Sequence, residues 1–384
     1  METIYLDHAA STPIRPEVHK AMTRTLFENF GNPSSQHSSG RKAKATLEKC
    51  RQKVANALGA DRSEIYFVRG GTESNNLAIL GKVQLDLQKS DIPRVITCSI
   101  EHKAVLDTCA NAVKQVGELI TLPVSADGNI DLDDLETVLK LQPTIISIMA
   151  VNNETGLRLP IKEIAEISRS YDVPMHTDAV QACGRVPIDL NDLQVDLLSL
   201  SGHKICGPKG TGILFVRKGT DLSPMLFGGG QEKGIRPGTQ DVAGAVGISK
   251  AIELSVDEQE SECIRLAQLR DALEKGLSIG ISDLKVYGEE GTRAPHILNV
   301  GIADLDSDAL LANLDMDGIS VSSGSACNSG ISSKSHVLKA IYNDLENTAI
   351  IRFSLGLSTT LQEIQETITT TQSIVLNMKT HQTE

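Results

Sequence analysis

Five short apolar stretches, each closed by polar residues and followed by a helical pattern, limit this chain to few folds: Glu64 to Val68, Arg94 to Ser99, Ile145 to Val151, Val173 to Thr177 and Val195 to Leu200. Strands that read as near-continuous apolar runs and alternate with helices belong to a mainly parallel sheet covered on both faces. In such a sheet ligands bind beyond the carboxyl ends of the strands, so polar residues placed there in sequence converge in space. Those ends carry Gly70-Gly71-Thr72 before an expected helix Asn76 to Val83, then Glu101-His102, Asn152-Asn153-Glu154, Asp178 with Gln181, and Ser201-Gly202-His203-Lys204. At 384 residues and 40% hydrophobic content the chain can bury a large core and a second, smaller one. After Gly247 a long helical pattern, Ile248 to Leu277, is expected to bridge to a smaller α/β unit that runs to the C-terminus.

The last of those ends is the most informative, because Lys204 sits where an apolar strand stops. A lysine held partly away from water can lose a proton and attack a carbonyl as an amine, which is the requirement for a Schiff base. Ser201 and His203 beside it can donate hydrogen bonds to an anion, and the glycine pair before a helix at Gly70-Gly71 leaves free amides at a helix N-terminus, with the Thr72 hydroxyl adjacent. A phosphate and an aldehyde held together describe pyridoxal phosphate. Asp178 has an ordinary reading as a helix N-cap, but a carboxylate there would also hold a protonated pyridine nitrogen. His102 has an ordinary reading as a satisfied histidine, and a functional one as a ring stacked on the cofactor and able to move protons.

Charge and cysteine usage exclude other classes. With 37 basic against 49 acidic residues the formal charge is −12, which gives no basic patch for direct binding of nucleic acid. Seven cysteines without a CxxC pair fit neither a disulfide framework nor a zinc site and point to a reducing compartment. No apolar run has the length of a signal peptide core or a membrane span, so the expected location is cytoplasmic, with no membrane partner. Cys327 stands apart from the other cysteines, in the Ser/Gly-rich stretch Ser322 to Ser335 between an expected strand and a helix from about His336. A thiol on such a loop is expected to be a nucleophile. Arg352, on an expected strand Ala349 to Ser354, reads either as a surface arginine or as a planar fork for a carboxylate.

Taken together, GGTESNN, SIEHKAVLDTC, VNNETG, HTDAVQACG, SGHKICGPKGTG, GGGQEKGIRPGT, SSGSAC and RFSLG resemble cysteine desulfurases of the nitrogenase and iron–sulfur-assembly type, within the class V aminotransferase-like, fold type I pyridoxal-phosphate enzymes. The resemblance spans nearly the whole chain. It implies an α/β fold with a large cofactor-binding domain over residues 14–255, its mainly parallel sheet between helices, and a smaller α/β domain formed by 1–13 and 256–384. It implies that Lys204 carries pyridoxal 5′-phosphate, that Asp178 pairs with the ring nitrogen, that His102 stacks on the ring, and that Asn153 and Gln181 contact its 3′ oxygen side. The phosphate would rest on Gly71, Thr72, Ser201 and His203, with Thr239 reaching from the neighbouring subunit of a homodimer. Arg352 would anchor the α-carboxylate of L-cysteine, and Cys327 would take its sulfur for delivery to an acceptor protein, an iron–sulfur scaffold or a thiolation enzyme. Arg69 and Cys206 depart from the family pattern beside the site. An aminotransferase or a selenocysteine lyase would share this cofactor machinery, and a non-catalytic scaffold could share the fold.

Overall fold

The apolar runs pair in one sheet, and the chain between them supplies its two covers. The computed structural model describes residues 3–89, 91–323, 335–342 and 345–382, so Cys327 lies outside the described residues. In chain order the elements are β1 (Ile4–Tyr5), α1 (Pro16–Glu28), α2 (Ser38–Leu58), β2 (Ile65–Val68), α3 (Gly71–Gln88), β3 (Arg94–Cys98), α4 (Lys103–Val113), β4 (Glu118–Leu122), α5 (Leu132–Leu139), β5 (Ile145–Ser147), α6 (Ile161–Ser170), β6 (Met175–Asp178), β7 (Leu197–Ser201) and β8 (Gly212–Val216). There follow α7 (Val242–Asp257), α8 (Gln259–Gly280), β9 (Leu284–Tyr287), β10 (Ile297–Ala303), α9 (Ser307–Met316), β11 (Ile319–Ser320), α10 (His336–Ile341), β12 (Thr348–Ser354) and α11 (Leu361–Gln382).

The large sheet has the order β2-β8-β7-β6-β5-β3-β4. Its strands are parallel except β8, which runs antiparallel to both β2 and β7. The connection from Ser201 to Gly212 explains the exception, since it is too short for the crossover that a parallel return needs. Alternation along each strand feeds two cores. Ile96, Ile146 and Leu198 face Val54 and Ile248 on one side. Val95, Ile145 and Leu197 face Leu77 and Val105 of α3 and α4 on the other. Burial on both faces is why these strands read as apolar runs.

A second core gathers the C-terminal elements. An antiparallel sheet β12-β10-β9 packs Leu298, Val300, Ile351 and Phe353 against Leu266 and Leu273 of α8 and Ile364 of α11. Ile4 and Leu6 belong to this core although they open the chain. They enter it because β1 pairs in parallel with β11, and Leu6 and His8 exchange backbone hydrogen bonds with Ser354.

Several boundaries differ from the sequence expectation, and those that bear on the site or on the second core are these. The helix after the glycine pair begins at Gly71, not Asn76, because Gly70 alone makes the turn at φ 141° and Gly71 is already helical. Asp178 and Ser201 are the last residues of their strands and not the first beyond them. The helical pattern from Ile248 to Leu277 is two helices, α7 and α8, that meet at Glu258. No glycine or proline marks that junction, where the Glu258 carboxylate takes Arg15 at 2.9 Å from the start of α1. Among the described residues no helix is long and apolar enough to cross a membrane.

Candidate active site

Beyond the carboxyl ends of β5, β6 and β7 opens a cavity of about 380 Å³ lined by Gly71, Thr72, His102, Asn153, Asp178, Gln181, Ser201, His203, Lys204 and Arg352. Ten of the sequence-predicted residues thus meet in one place. Ala9, Ala10, Asn75, Ala104, Met149, Val151 and Val180 complete the wall. Thr239 is exposed and outside the cavity, just past Gly238, and Cys327 lies outside the described residues. Arg69 also stays out of the wall, with its guanidinium on Asp241 at 3.0 Å.

Each side chain is set by the end of its element. Lys204 closes the short 3-10 turn Gly202–Lys204 that follows β7, and its Nζ donates to the carbonyls of Ala9 at 2.6 Å and Ala10 at 2.8 Å. Asp178 is 6% exposed, and both its oxygens are used: Oδ2 accepts from Asn75 Nδ2 at 2.6 Å and Oδ1 from the Val180 amide at 2.9 Å. Charge-assisted bonds of this kind hold a carboxylate in one rotamer. His102 caps α4, its Nδ1 accepting the Ala104 amide at 3.0 Å, so the proton of the neutral ring is on Nε2. Burial lowers the His102 pKa below the usual imidazole value. Burial and then the neighbouring Lys204 bring His203 down to about 4, so it too is neutral near pH 7.

Behind this wall sits a second carboxyl. Glu101 is fully buried, and its Oε1 accepts from the Met149 amide at 2.5 Å and the Cys98 thiol at 3.3 Å while Oε2 has no partner among the described residues. Burial, and next the Asp178 carboxylate, hold its pKa well above the ordinary range.

Arg352 is 2% exposed, which removes the reading of it as a surface arginine. It donates to the Asn153 carbonyl and to Asp7 Oδ1, each at 2.8 Å. Asn153 is presented by a turn built on its neighbour: the Asn152 side chain donates to Ile100 and accepts from the amides of Glu154 and Thr155. The described residues that flank the Cys327 stretch, Ser322 and Ser335, bond to Arg352 and to Glu154, next to Asn153. Ser322 and Arg352 exchange backbone hydrogen bonds, and Ser335 donates to the buried carboxylate of Glu154.

These residues fit pyridoxal 5′-phosphate. A β-carbon on Gly71 would lie 2.8 Å from Val180 Cγ2, so the wall at the start of α3 is closed to any side chain while its amides stay available to an anion. The Asp178 carboxylate, the flat imidazole of His102 and the amine of Lys204 face the space between. Asn75, which holds Asp178, and the Ala9-Ala10 carbonyls, which hold Lys204, were not found from sequence. Asn75 is one helical turn after Gly71 and so faces the sheet, a spacing that marks it once the helix start is known.

The model of the aminotransferase class-V family matches residues 4–367. Cysteine desulfurase IscS of Dictyoglomus turgidum is 44% identical over 378 residues, covering 98% of this chain and 95% of that protein. Cysteine desulfurase IscS of Methanosarcina thermophila is 42% identical over 380 residues, covering 98% and 93%. Among solved structures, a NifS-like protein superposes with a TM-score of 0.89 at 33% identity, covering 97% of this chain and 99% of the other. The NifS-like protein of Rickettsia africae gives a TM-score of 0.87 at 32% identity, covering 97% and 99%.

Proposed function

The chain belongs to the aminotransferase class-V family and is a pyridoxal-phosphate-dependent cysteine desulfurase, and from that premise we propose how its residues divide the work. The observation that carries the assignment is that Lys204, Asp178, His102 and Arg352, from four separate elements, line one cavity. The cofactor, when bound, supplies an electron sink conjugated to the substrate's amino group. Gly71 and Thr72 at the start of α3, with Ser201 and neutral His203, would hold its phosphate by amide, hydroxyl and imidazole donors. Asp178 would pair with the ring nitrogen, His102 would pack on the ring, and Asn153 and Gln181 would contact its 3′ oxygen side. Lys204 would hold the cofactor covalently, and its Nζ, as a free amine, would hold or return a proton.

Arg352 binds the α-carboxylate of L-cysteine, which turns the side-chain sulfur toward Ser322 and Ser335, the described residues that flank the Cys327 stretch. The Cys327 thiolate attacks that sulfur. The substrate's carbon–sulfur bond breaks as a sulfur–sulfur bond forms, a proton is returned to carbon, and L-alanine leaves. The persulfide on Cys327 then passes to a thiol of an acceptor protein, an iron–sulfur scaffold or a thiolation enzyme, in the cytoplasm. The enzyme works as a homodimer in which exposed Thr239 reaches the partner's phosphate, a reading supported by the exposed neighbours Met225, Leu226 and Phe227 on the segment that leads to Thr239.

The test is turnover by purified holoenzyme with L-cysteine and a thiol reductant. Alanine and sulfide should appear in equal amounts, and Lys204→Ala should yield neither. Amino-group exchange between L-alanine and a 2-oxo acid, without sulfide, would contradict the reading.

A further inference from the structure

Arg352 emerges from β12 with its guanidinium almost wholly out of water, yet only one of that guanidinium's two partners belongs to the cavity lining. The Asn153 carbonyl belongs to a cavity-lining residue and takes one Nη, whereas Asp7 is not part of the lining and takes the other Nη at 2.8 Å. Nε has no partner among the described residues. A long side chain with several rotatable bonds presents a planar fork in one direction only if something fixes it, and two anchors on separate Nη atoms do so.

We propose that Asp7 is a positioning residue for the substrate's α-carboxylate, fixing the Arg352 guanidinium so that its open edge faces the cavity. The inference rests on the reading of Arg352 as the carboxylate anchor. Asp7 is suited to the task because its own backbone is fixed. Leu6 donates to Ser320 at 2.9 Å, Ser354 donates to Leu6 at 2.7 Å and His8 donates to Ser354 at 3.1 Å, so the residue is clamped between β11 and β12. The same segment continues into Ala9 and Ala10, whose carbonyls take Lys204 Nζ. One short rigid stretch therefore touches both the arginine that takes the carboxylate and the lysine that meets the amine. An α-amino acid carries these two groups on adjacent atoms, and the stretch sets the spacing the pair must match.

Only Oδ1 of Asp7 is engaged by Arg352, so an amide oxygen can replace it while a methyl cannot. With holoenzyme, the KM for L-cysteine and the inhibition constant of cysteamine, the same molecule without its carboxylate, are measured for Asp7→Ala, Asp7→Asn and Asp7→Glu. Asp7→Ala should raise the KM for L-cysteine on the order of tenfold, the size of a hydrogen bond to a charged group, and leave cysteamine unchanged. Asp7→Asn should recover most of that loss. Asp7→Glu keeps the charge but displaces it by a methylene, and should raise the KM for L-cysteine again. Should Asp7→Ala fail to fold, Asp7→Glu decides alone. An unchanged KM in both, or equal weakening of L-cysteine and cysteamine, overturns the proposal. Arg352→Gln separates the premise: if it leaves the preference for L-cysteine over cysteamine intact, the carboxylate anchor itself is wrong, whereas loss of preference there with none at Asp7 defeats only the role of Asp7.

Discussion

Replacing Asp178 by Asn keeps the size of the side chain and removes one acceptor together with the charge. Both carboxylate oxygens accept from N–H groups, Asn75 Nδ2 at 2.6 Å and the Val180 amide at 2.9 Å. Asparagine has a single carbonyl oxygen, so in either flip an N–H faces an N–H in a site that is 6% exposed. A lost bond to a charged group is worth about 1.5–3 kcal/mol, which is about a 10- to 150-fold loss if it appears in cofactor affinity. The assay is titration of the apoenzyme with pyridoxal phosphate, followed by absorbance, beside thermal melting of the same apoenzyme. Asp178→Asn should lower both the affinity and the melting temperature. Asn75→Ala, which removes one donor and keeps the charge, should fall between it and the wild type. If Asp178→Asn lowers the melting temperature but leaves cofactor affinity untouched, Asp178 is a structural acceptor and its pairing with the ring is wrong.

Gly71→Ala places a methyl 2.8 Å from Val180 Cγ2 at the start of α3, and should weaken cofactor binding by more than its small effect on apoenzyme melting accounts for; equal affinity would mean that the phosphate rests elsewhere. Burial lowers His176 to about 3 and His8 to about 4, so the unfolded chain binds protons that the folded one refuses. The contribution of these two groups is therefore full above about pH 6.5 and falls as pH drops toward 4, by up to about 1.4 kcal/mol per pH unit for each. Melting curves from pH 7.5 to 5 carry this contribution, and His176→Gln should lessen the loss of stability on acidification relative to wild type; an unchanged pH dependence in His176→Gln would refute the assignment. Mixing inactive Thr239→Ala with inactive Lys204→Ala should restore activity in exchanged dimers, since one site then contains only intact parts, and no recovery after proven exchange would count against a shared site.

The sheet was legible because strands such as Leu197–Ser201, buried on both faces, leave a plain apolar signature, and the polar residues at their ends are chemically distinctive. What escaped depends on position in space. The Ala9-Ala10 carbonyls that hold Lys204 have no side-chain signal, and their nearness follows from β1 pairing with β11 across most of the chain. Arg352 is ambiguous in sequence because Ile351-Arg352-Phe353-Ser354 alternates apolar and polar residues and so reads as half exposed, whereas the N-terminal segment and the turn at Asn153 cover it. The junction at Glu258 is held by Arg15 from another element, and no local breaker marks it.

The central claim is that sulfur leaves L-cysteine for Cys327. Holoenzyme is mixed with L-cysteine without reductant, alanine is quantified, and the peptides are mapped by mass spectrometry. The claim predicts one alanine for each sulfur atom added to the peptide that contains Cys327, with no added sulfur and almost no alanine from Cys327→Ser. Undiminished alanine and sulfide from Cys327→Ser, or added sulfur on Cys206 in place of Cys327, would contradict it.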